Sequence, residues 1–379
     1  MPMQDFSAYQ PRGFRTTFKG HDYNEGLDAY VAPAKTSLGH VPSGAVTSVV
    51  GSLSVELLAG KQLVTTNDNR GQFFNGRSVG ADSNVIVVND DIYPPKAAGF
   101  VGKVVNNSPR PGHPFAIVDV LTTDILVLTP TNVALPGGVL PTNVQRLPAG
   151  LPAMTSFVQM FVRGCKDFLQ IDENELKVGL QPFRDNGWVS QRIFIGDALE
   201  NGSGYVRLIG EGQTLKTVLD DIVMVSGARL SDPARHPECD SSCPSCLRSY
   251  ENRQVHHLLN WRLGLDVAEL LAGGKMTTSR WLTRAQRLCA GWSRAFDKGG
   301  EYQIISLSSG LLALARADRK VAVVLGHPLW PQEELFQPLE TAEAVLELQD
   351  DHGVPDDGVM VSDLYSLEFK PFQIWAKLQ

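Results

Sequence analysis

The sequence predicts a mixed α/β fold with a β-rich N-terminal module over residues 1–150, a central α/β region with a metal knuckle over 151–275, and a small C-terminal α/β domain over 276–379. Three observations predict it. Residues 1–150 carry short β-type runs separated by Gly, Pro and Asn turn signals. Apolar residues at helical spacing begin near Met154, and residues 300–379 alternate between the two patterns. A chain of 379 residues also exceeds one ordinary core, in keeping with two or three domains.

In the first module, Val85–Val88 and Ala116–Leu128 read as strands, bounded by turn signals at Pro94-Pro95, Pro109–Pro114 and Pro136–Gly138. A helix is expected over Val46–Ala59, and Leu135–Pro152 reads as a linker. The next segment, Met154–Leu169, places Phe157, Met160, Phe161, Cys165 and Phe168 at helical spacing. Ile193–Ile195 reads as a buried strand, followed by the glycine-bearing turn Asp197–Tyr205 and a helix over Thr214–Val225. In that turn, structural glycines are the expected account rather than an acid pair at Asp197 and Glu200. Asp172 is read as an N-cap. A helix from about Val255 to Ala272 should end at the Gly273-Gly274 C-cap, and another spans Ser279–Phe296. In the last domain Tyr302–Leu307, Lys320–Leu325 and Phe372–Ala376 read as strands and Pro338–Leu348 as a helix.

Hydrophobic residues make up 43% of the chain and charged ones 20%, which excludes a disordered polymer. The longest apolar runs, such as Ile125–Leu128 and Val321–Leu325, are far short of a bilayer span, and residues 1–20 lack an apolar signal core. A cytoplasmic location without membrane partners is the expectation. The net charge of −7 excludes a protein that coats DNA wholesale. Charge is unevenly spread: Lys275–Lys298 holds six Lys/Arg and one acid, whereas Glu340–Gln379 holds nine acids and two lysines.

Three of the five cysteines fall within eight positions, in His236-Pro-Glu-Cys239-Asp-Ser-Ser-Cys243-Pro-Ser-Cys246. An odd, clustered count suits metal binding in a reducing compartment better than a secreted disulfide framework. A Cys-x2-Cys turn aims two thiolates at one cation, and Cys239 is close enough to join them. Zn²⁺ prefers four tetrahedral N/S ligands in structural sites. His236 is the nearest fourth candidate, with His256, His257 and Cys289 as rivals. A deaminase site is not expected. Its H-x-E and P-C-x-x-C motifs leave one ligand position open for water, and Cys239 would crowd it.

The stretch CDSSCPSCLRSYENRQVHHLLNWRLGLDVAELL, Cys239–Leu271, resembles the zinc-binding C-terminal region of MrfA-type superfamily 2 helicases. It looks closest to the helicase-partner DrmB-like proteins of DISARM antiphage systems. Tyr9–Phe18 (YQPRGFRTTF), Leu169–Gly179 (LQIDENELKVG) and Ile193–Tyr205 (IFIGDALENGSGY) carry the same resemblance. The family pattern implies four cysteines spaced C-x-C-x4-C-x2-C. Cys243 and Cys246 match the last pair, His236 falls on the first position and Glu238 on the second, with Cys239 one residue along. No G-x4-G-K-[ST] phosphate cradle and no D-E-x-H box occurs in the sequence. The resemblance therefore implies a non-motor, zinc-binding accessory protein that partners a superfamily 2 helicase subunit and helps bind nucleic acid, single-stranded DNA above all.

Candidate nucleic-acid contacts are Arg280, Arg284, Arg287 and Arg294, spaced along one helix, with Trp281 beside them to stack on a base. Arg248 and Arg253 after the knuckle belong to the same set. The blander account is a solvated helix face with core tryptophans. For Arg248, Tyr250, Asn252 and Arg253 it is capping of the next helix and satisfaction of loop carbonyls. Two other function classes stay open. Glu368-x-Lys370 with Asp350, Asp351 or Asp363 could form a metal-dependent nuclease site, with His327 nearby in sequence. A pure protein–protein scaffold is the third.

Overall fold

The computed structural model describes residues 7–9, 35–39, 42, 45–67, 74–79, 85–88, 113–131, 133, 140, 142–143, 146–237, 239–250, 252–316, 318–331 and 338–379. Most of the Tyr9–Phe18 segment, the turns at Pro94-Pro95 and Pro136–Gly138, and Glu238 lie outside them.

The strands of the first part are β1 (Ser7–Tyr9), β2 (Lys35–Leu38), β3 (Ser48–Val50), β4 (Leu53–Asn67), β5 (Phe74–Val79), β6 (Val85–Val88) and β7 (His113–Pro130). Helix α1 (Gly150–Leu169) follows, then β8 (Leu176–Asp185), β9 (Trp188–Asp197), α2 (Tyr205–Gly210), α3 (Gly212–Asp221) and α4 (Gly227–Ser231). Beyond them come α5 (Trp261–Leu271), α6 (Leu282–Phe296), β10 (Tyr302–Ser306), β11 (Leu312–Arg316) and β12 (Val321–Gly326). The chain closes with α7 (Leu339–Asp350), β13 (Val359–Asp363), α8 (Leu364–Phe369) and α9 (Pro371–Lys377). The class is mixed α/β.

The chain divides into two compact units. One comprises residues 1–41, 60–123 and 199–201, the other 42–59, 124–198 and 202–379. In the first, β2 pairs antiparallel with the distal half of β4, from Lys35↔Thr66 to Leu38↔Leu63. Within it β5 pairs antiparallel with β6 and with the start of β7, which β1 flanks in parallel.

In the second unit β3 forms a hairpin with the start of β4, Val50 opposite Leu53. The expected Val46–Ala59 helix is therefore absent. Its Leu53 and Val55 are fully buried two residues apart, the period of a strand and not of a helix. The antiparallel pair β8–β9 joins the end of β7 through β9, with Leu126 opposite Ile195. The stretch expected as a linker ends in buried Leu147 and Ala149, which lead directly into α1.

Helix α1 carries Met154, Phe157, Phe161 and Cys165 into the core on one face, as their spacing requires. Burial pushes the Cys165 thiol well up, so it acts as a small apolar group. Helix α5 packs across α1 at Gly264, where an added Cβ would lie 3.1 Å from the Ser156 carbonyl carbon. Every residue of α5 is buried, including Arg262, Asp266 and Glu269. Charged groups so enclosed need partners, and they organise the neighbourhood described below. The helix expected from Val255 to Ala272 is broken. A 3-10 turn covers Arg253–Leu258, Leu259 is extended, and the Asn260 side chain caps α5 by accepting from the Arg262 N–H at 3.0 Å. It ends as expected at Gly273, whose φ is +87°.

The last sheet runs β10-β11-β12-β13, antiparallel except for the parallel β12–β13 pair. Alternate residues sort to two cores. Leu312, Leu314, Val323 and Leu325 join the main core, while Ala313, Ala315, Ala322 and Val324 meet Ala344 and Leu348 of α7. Phe372–Ala376, expected as a strand, lies in helix α9, with Pro371 at its start and Ile374 and Leu378 buried one turn apart.

Asp197, at the end of β9, is fully buried, and its carboxylate accepts from the N–H groups of Ser203, Gly204 and Val206 at 2.8, 2.8 and 3.0 Å. Gly202 and Gly204 turn the chain at φ +82° and +87°. Asp197 thus builds a turn, as the structural reading held. Asp197→Ala would strand three backbone donors, and a loss of about 3 kcal/mol is expected in urea unfolding. Asp172 occupies an N-cap position, yet its side chain makes no capping bond, so that expectation fails.

Candidate metal centre

After α4 the chain makes a short turn at Pro233–Arg235, then passes through His236, Cys239, Cys243 and Cys246 before returning to α5. Ligating atoms from these four residues all lie within 4.8 Å of one another, the only such group of His, Cys, Asp or Glu among the described residues. The Cys239 and Cys246 Sγ atoms are 3.8 Å apart, and His236 Nε2 is 3.3 Å from Cys243 Sγ. A tetrahedron with Zn–S bonds of about 2.3 Å has S···S edges of about 3.8 Å. The donor set therefore fits zinc.

His236, not its rivals, completes the cluster of four ligating atoms, and the backbone explains why. Its Nδ1–H donates to the Leu230 carbonyl at 3.2 Å, leaving Nε2 as the bare lone pair that faces the cysteines. Burial, with Arg229 and Arg262 nearby, holds the imidazole pKa below its ordinary value despite the Leu230 bond, which favours the neutral ligand form. The rivals are engaged elsewhere. The His256 ring meets Ser249 O and Asn252 Oδ1, and Cys289 faces the core from α6 with its thiol pushed up to about 12 by burial. His257 is outside the cluster.

With the protons left on, the thiols are poorly accommodated. Burial and the neighbouring thiols push Cys239 up, and burial does the same to Cys246. Burial also acts on Cys243, but hydrogen bonds from the other two thiols and from the Ser245 and Cys246 backbone outweigh it and pull it down. A divalent ion resolves this crowding by replacing protons with one central charge. Four ligands close the coordination shell, and no position stays open for a reacting water. Cys239 fills the place a deaminase would leave vacant.

The loop is fastened by its carbonyls. Trp261 Nε1–H reaches Cys239 O at 3.2 Å, Arg262 reaches Asp240 O at 2.8 Å, and the Trp261 N–H reaches Ser241 O at 2.8 Å. Arg229 donates to Ser245 O, Arg163 to Cys246 O at 2.6 Å, and Asn252 to Leu247 O at 2.8 Å. Helices α1, α4 and α5 thus grip one ion-braced turn. Sequence reasoning missed Arg163, Arg229 and Arg262. The only signal lay in Arg262, a charge at the start of a largely apolar helical run.

The nucleic-acid candidates separate into two groups. Arg280 and Trp281 are buried and do not present a face to a strand, which corrects their assignment as contacts. Arg280 pairs with Asp266 at 2.5 Å and with Glu269, and Trp281 Nε1–H donates to Asp266 at 2.8 Å. Arg284 is 11% exposed and bonds Asp240 at 3.1 Å and Glu368 at 2.7 Å. Arg248 is half-buried and donates to Ser242 Oγ at 2.9 Å, tying the loop. Arg287, Arg253 and Arg294 are exposed, Arg287 pairing with Asp240 at 3.0 Å and Arg253 stacking over Tyr250. Asn252 satisfies loop groups at Ser249 and Leu247, as expected, but its side chain makes no capping bond to the Arg253–Leu258 turn.

Two of the acids of the nuclease alternative are engaged elsewhere, while Asp350 and Asp351 are exposed. Asp363 caps α8, accepting from Ser366 N and Oγ at 2.8 Å each, and Glu368 holds Arg284. His327 is buried against Asp266 at 3.0 Å, and neither it nor those acids joins a metal-holding group among the described residues.

A closed structural zinc site of three cysteines and one histidine, set in a mixed α/β frame, defines the class. Residues 157–247 match the family described as "MZB: MrfA Zn-binding domain", a span that holds all four ligands. That match and the cluster of three cysteines and one histidine together support Zn²⁺ as the cofactor. Among solved structures the chain is similar to one described as "Crystal Structure of DUF1998 helicase MrfA bound to DNA", at 12% identity and a TM-score of 0.35. That similarity covers 64% of this chain and 25% of the helicase chain. No curated protein matches the chain significantly. Among the described residues no helix is long and apolar enough to cross a membrane.

Proposed function

We propose that this protein is a non-motor accessory subunit that docks on a separate superfamily 2 helicase and holds a nucleic-acid strand beside it, in bacterial antiphage defence or DNA processing. The observation that carries this reading is the coincidence of the four-ligand cluster with the matched MrfA Zn-binding domain. Zinc is structural in this reading: it stiffens the turn between α4 and α5 and so fixes neighbouring surfaces. The sequence lacks a phosphate cradle for ATP, so the energy comes from the partner. Exposed Arg253 and Arg294, together with Arg287, supply the phosphate contacts.

The test is co-purification with the products of neighbouring genes. Recovery of a P-loop helicase in fixed stoichiometry supports the reading, and repeated recovery of the chain alone counts against it. For the strand itself, Arg253→Glu with Arg294→Glu is expected to weaken single-stranded DNA binding. It should also flatten the log–log salt slope by about 1.4, two phosphate contacts at about 0.7 each. An unchanged slope in fluorescence anisotropy would leave only the scaffold role.

A further inference from the structure

Beside the zinc cluster lies a cavity of about 270 Å³ between the end of α4, the start of α5, the 3-10 turn Thr278–Trp281 and the start of α6. Arg262, Arg280 and Arg287 line it, with the hydroxyls of Ser231, Ser279 and Thr283, and no Asp or Glu is among its lining residues. The Nε–H groups of Arg262 and Arg280 are buried and have no hydrogen-bond partner. Both side chains are more than nine-tenths buried, so water does not readily satisfy them. Arg262 makes a bond to Asp240 O and stacks on Trp261 at 4.4 Å, but no carboxylate forms an ion pair with it among the described residues. Arg280 is held by Asp266 and Glu269 and Arg287 by Asp240, so Arg262 is the guanidinium of the three without a carboxylate partner among the described residues. Three thiolates and an imidazole on Zn²⁺ leave one negative charge nearby, and the unsatisfied Nε–H groups of Arg262 and Arg280 belong to residues that line the space.

We propose that this cavity is a binding site for a phosphate group, held by the guanidiniums of Arg262, Arg280 and Arg287 and the hydroxyls of Ser279 and Thr283. Guanidinium forks match tetrahedral oxyanions in geometry and charge, and unsatisfied buried N–H groups gain most from such a ligand. The volume lies just under the range of pockets for drug-sized ligands, about 300–1,000 Å³, so the bound group carries little besides the phosphate. Two sources share this chemistry, a phosphorylated strand end and free inorganic phosphate. The site stands on the cavity's own lining and does not depend on helicase docking.

The experiment uses the zinc-loaded full chain. Thermal shift and calorimetric titration with orthophosphate are run against chloride at equal ionic strength, for the native protein and for Thr283→Glu and Arg287→Gln. Both substituted residues are exposed at the cavity, and bound zinc is quantified in each variant to confirm the fold. Phosphate is expected to stabilise the native protein beyond chloride, with Kd raised at least about tenfold in each variant. Oligonucleotides with and without a 5′-phosphate then separate the sources. Tighter binding of the phosphorylated strand, competed by orthophosphate, identifies a strand end. Indifference of the strand alongside orthophosphate binding identifies the free anion. No phosphate-specific stabilisation, or equal stabilisation in both zinc-loaded variants, overturns the site. Failure of every oligonucleotide to bind counts against the accessory reading and leaves the cavity to the orthophosphate result.

Discussion

Cys246→Ser is expected to weaken zinc binding roughly a hundredfold in competition with a chelator and to loosen the turn between α4 and α5. Structural zinc sites contribute on the order of 10–16 kcal/mol of apparent binding energy over four ligands. One ligand therefore carries on the order of 3 kcal/mol, roughly a hundredfold in affinity. Serine keeps the volume but offers a hydroxyl that does not ionise at neutral pH. The effect extends beyond the metal, because Cys246 is buried against the core and its sulfur also accepts the Cys243 N–H at 3.0 Å. Chelator competition reads the zinc affinity, and amide exchange of the loop reads the order. Unchanged zinc affinity in that competition would refute the ligand assignment. Acid should act like the substitution. Thiolates on zinc hold off protons to a lower pH than cysteines of the unfolded chain, so their stabilisation is present above the free-thiol range and lost as pH falls. Zinc release on acidification, reversed on neutralisation with added metal, is the expected course.

The metal ligands were legible because their chemistry is local. Three cysteines and one histidine within eleven positions of chain need only a turn to converge, and the turn chemistry of Ser and Pro supplies it. Helices α1 and α6 were legible for a related reason: a single apolar face repeats at the helical period. The errors fall where a short apolar run fits two periods. Around Leu53–Leu58 the residues Leu53, Val55 and Leu58 satisfy a strand or a helix, and pairing with Val50 decides it. At Phe372–Ala376 the signal was present in Pro371, which starts a helix without losing a bond, but aromatic residues suggested a strand. The arginine stripe failed differently. Spacing placed Arg287 on α6 correctly, but Arg280 lies in the 3-10 turn before it, and spacing could not show that two acids inside α5 claim it.

Those acids form the least legible feature of the chain, and Asp266→Ala should be the most damaging substitution outside the zinc ligands. The Asp266 carboxylate is fully buried. One oxygen takes the Arg280 guanidinium at 2.5 Å, and the other takes Trp281 Nε1–H at 2.8 Å and His327 Nε2 at 3.0 Å. Its partners come from the turn before α6 and from the loop after β12, 61 residues away in sequence in the case of His327. Removing the carboxylate strips a buried guanidinium of one of its two acids and leaves an indole N–H and an imidazole without an acceptor. Breaking a buried pair in this way costs about 3–5 kcal/mol. That is a large share of the 5–15 kcal/mol that typically separates folded from unfolded domains. Asp266→Asn, which keeps an acceptor oxygen and the volume, should lose less than Asp266→Ala. The order matters for interpretation, since a purely volumetric role would make Leu the better replacement. Chemical unfolding of the three variants, each with its zinc content measured, separates these accounts: Asn above Leu and Ala supports a polar junction between α5, α6 and the last sheet, and Leu above Asn rules it out.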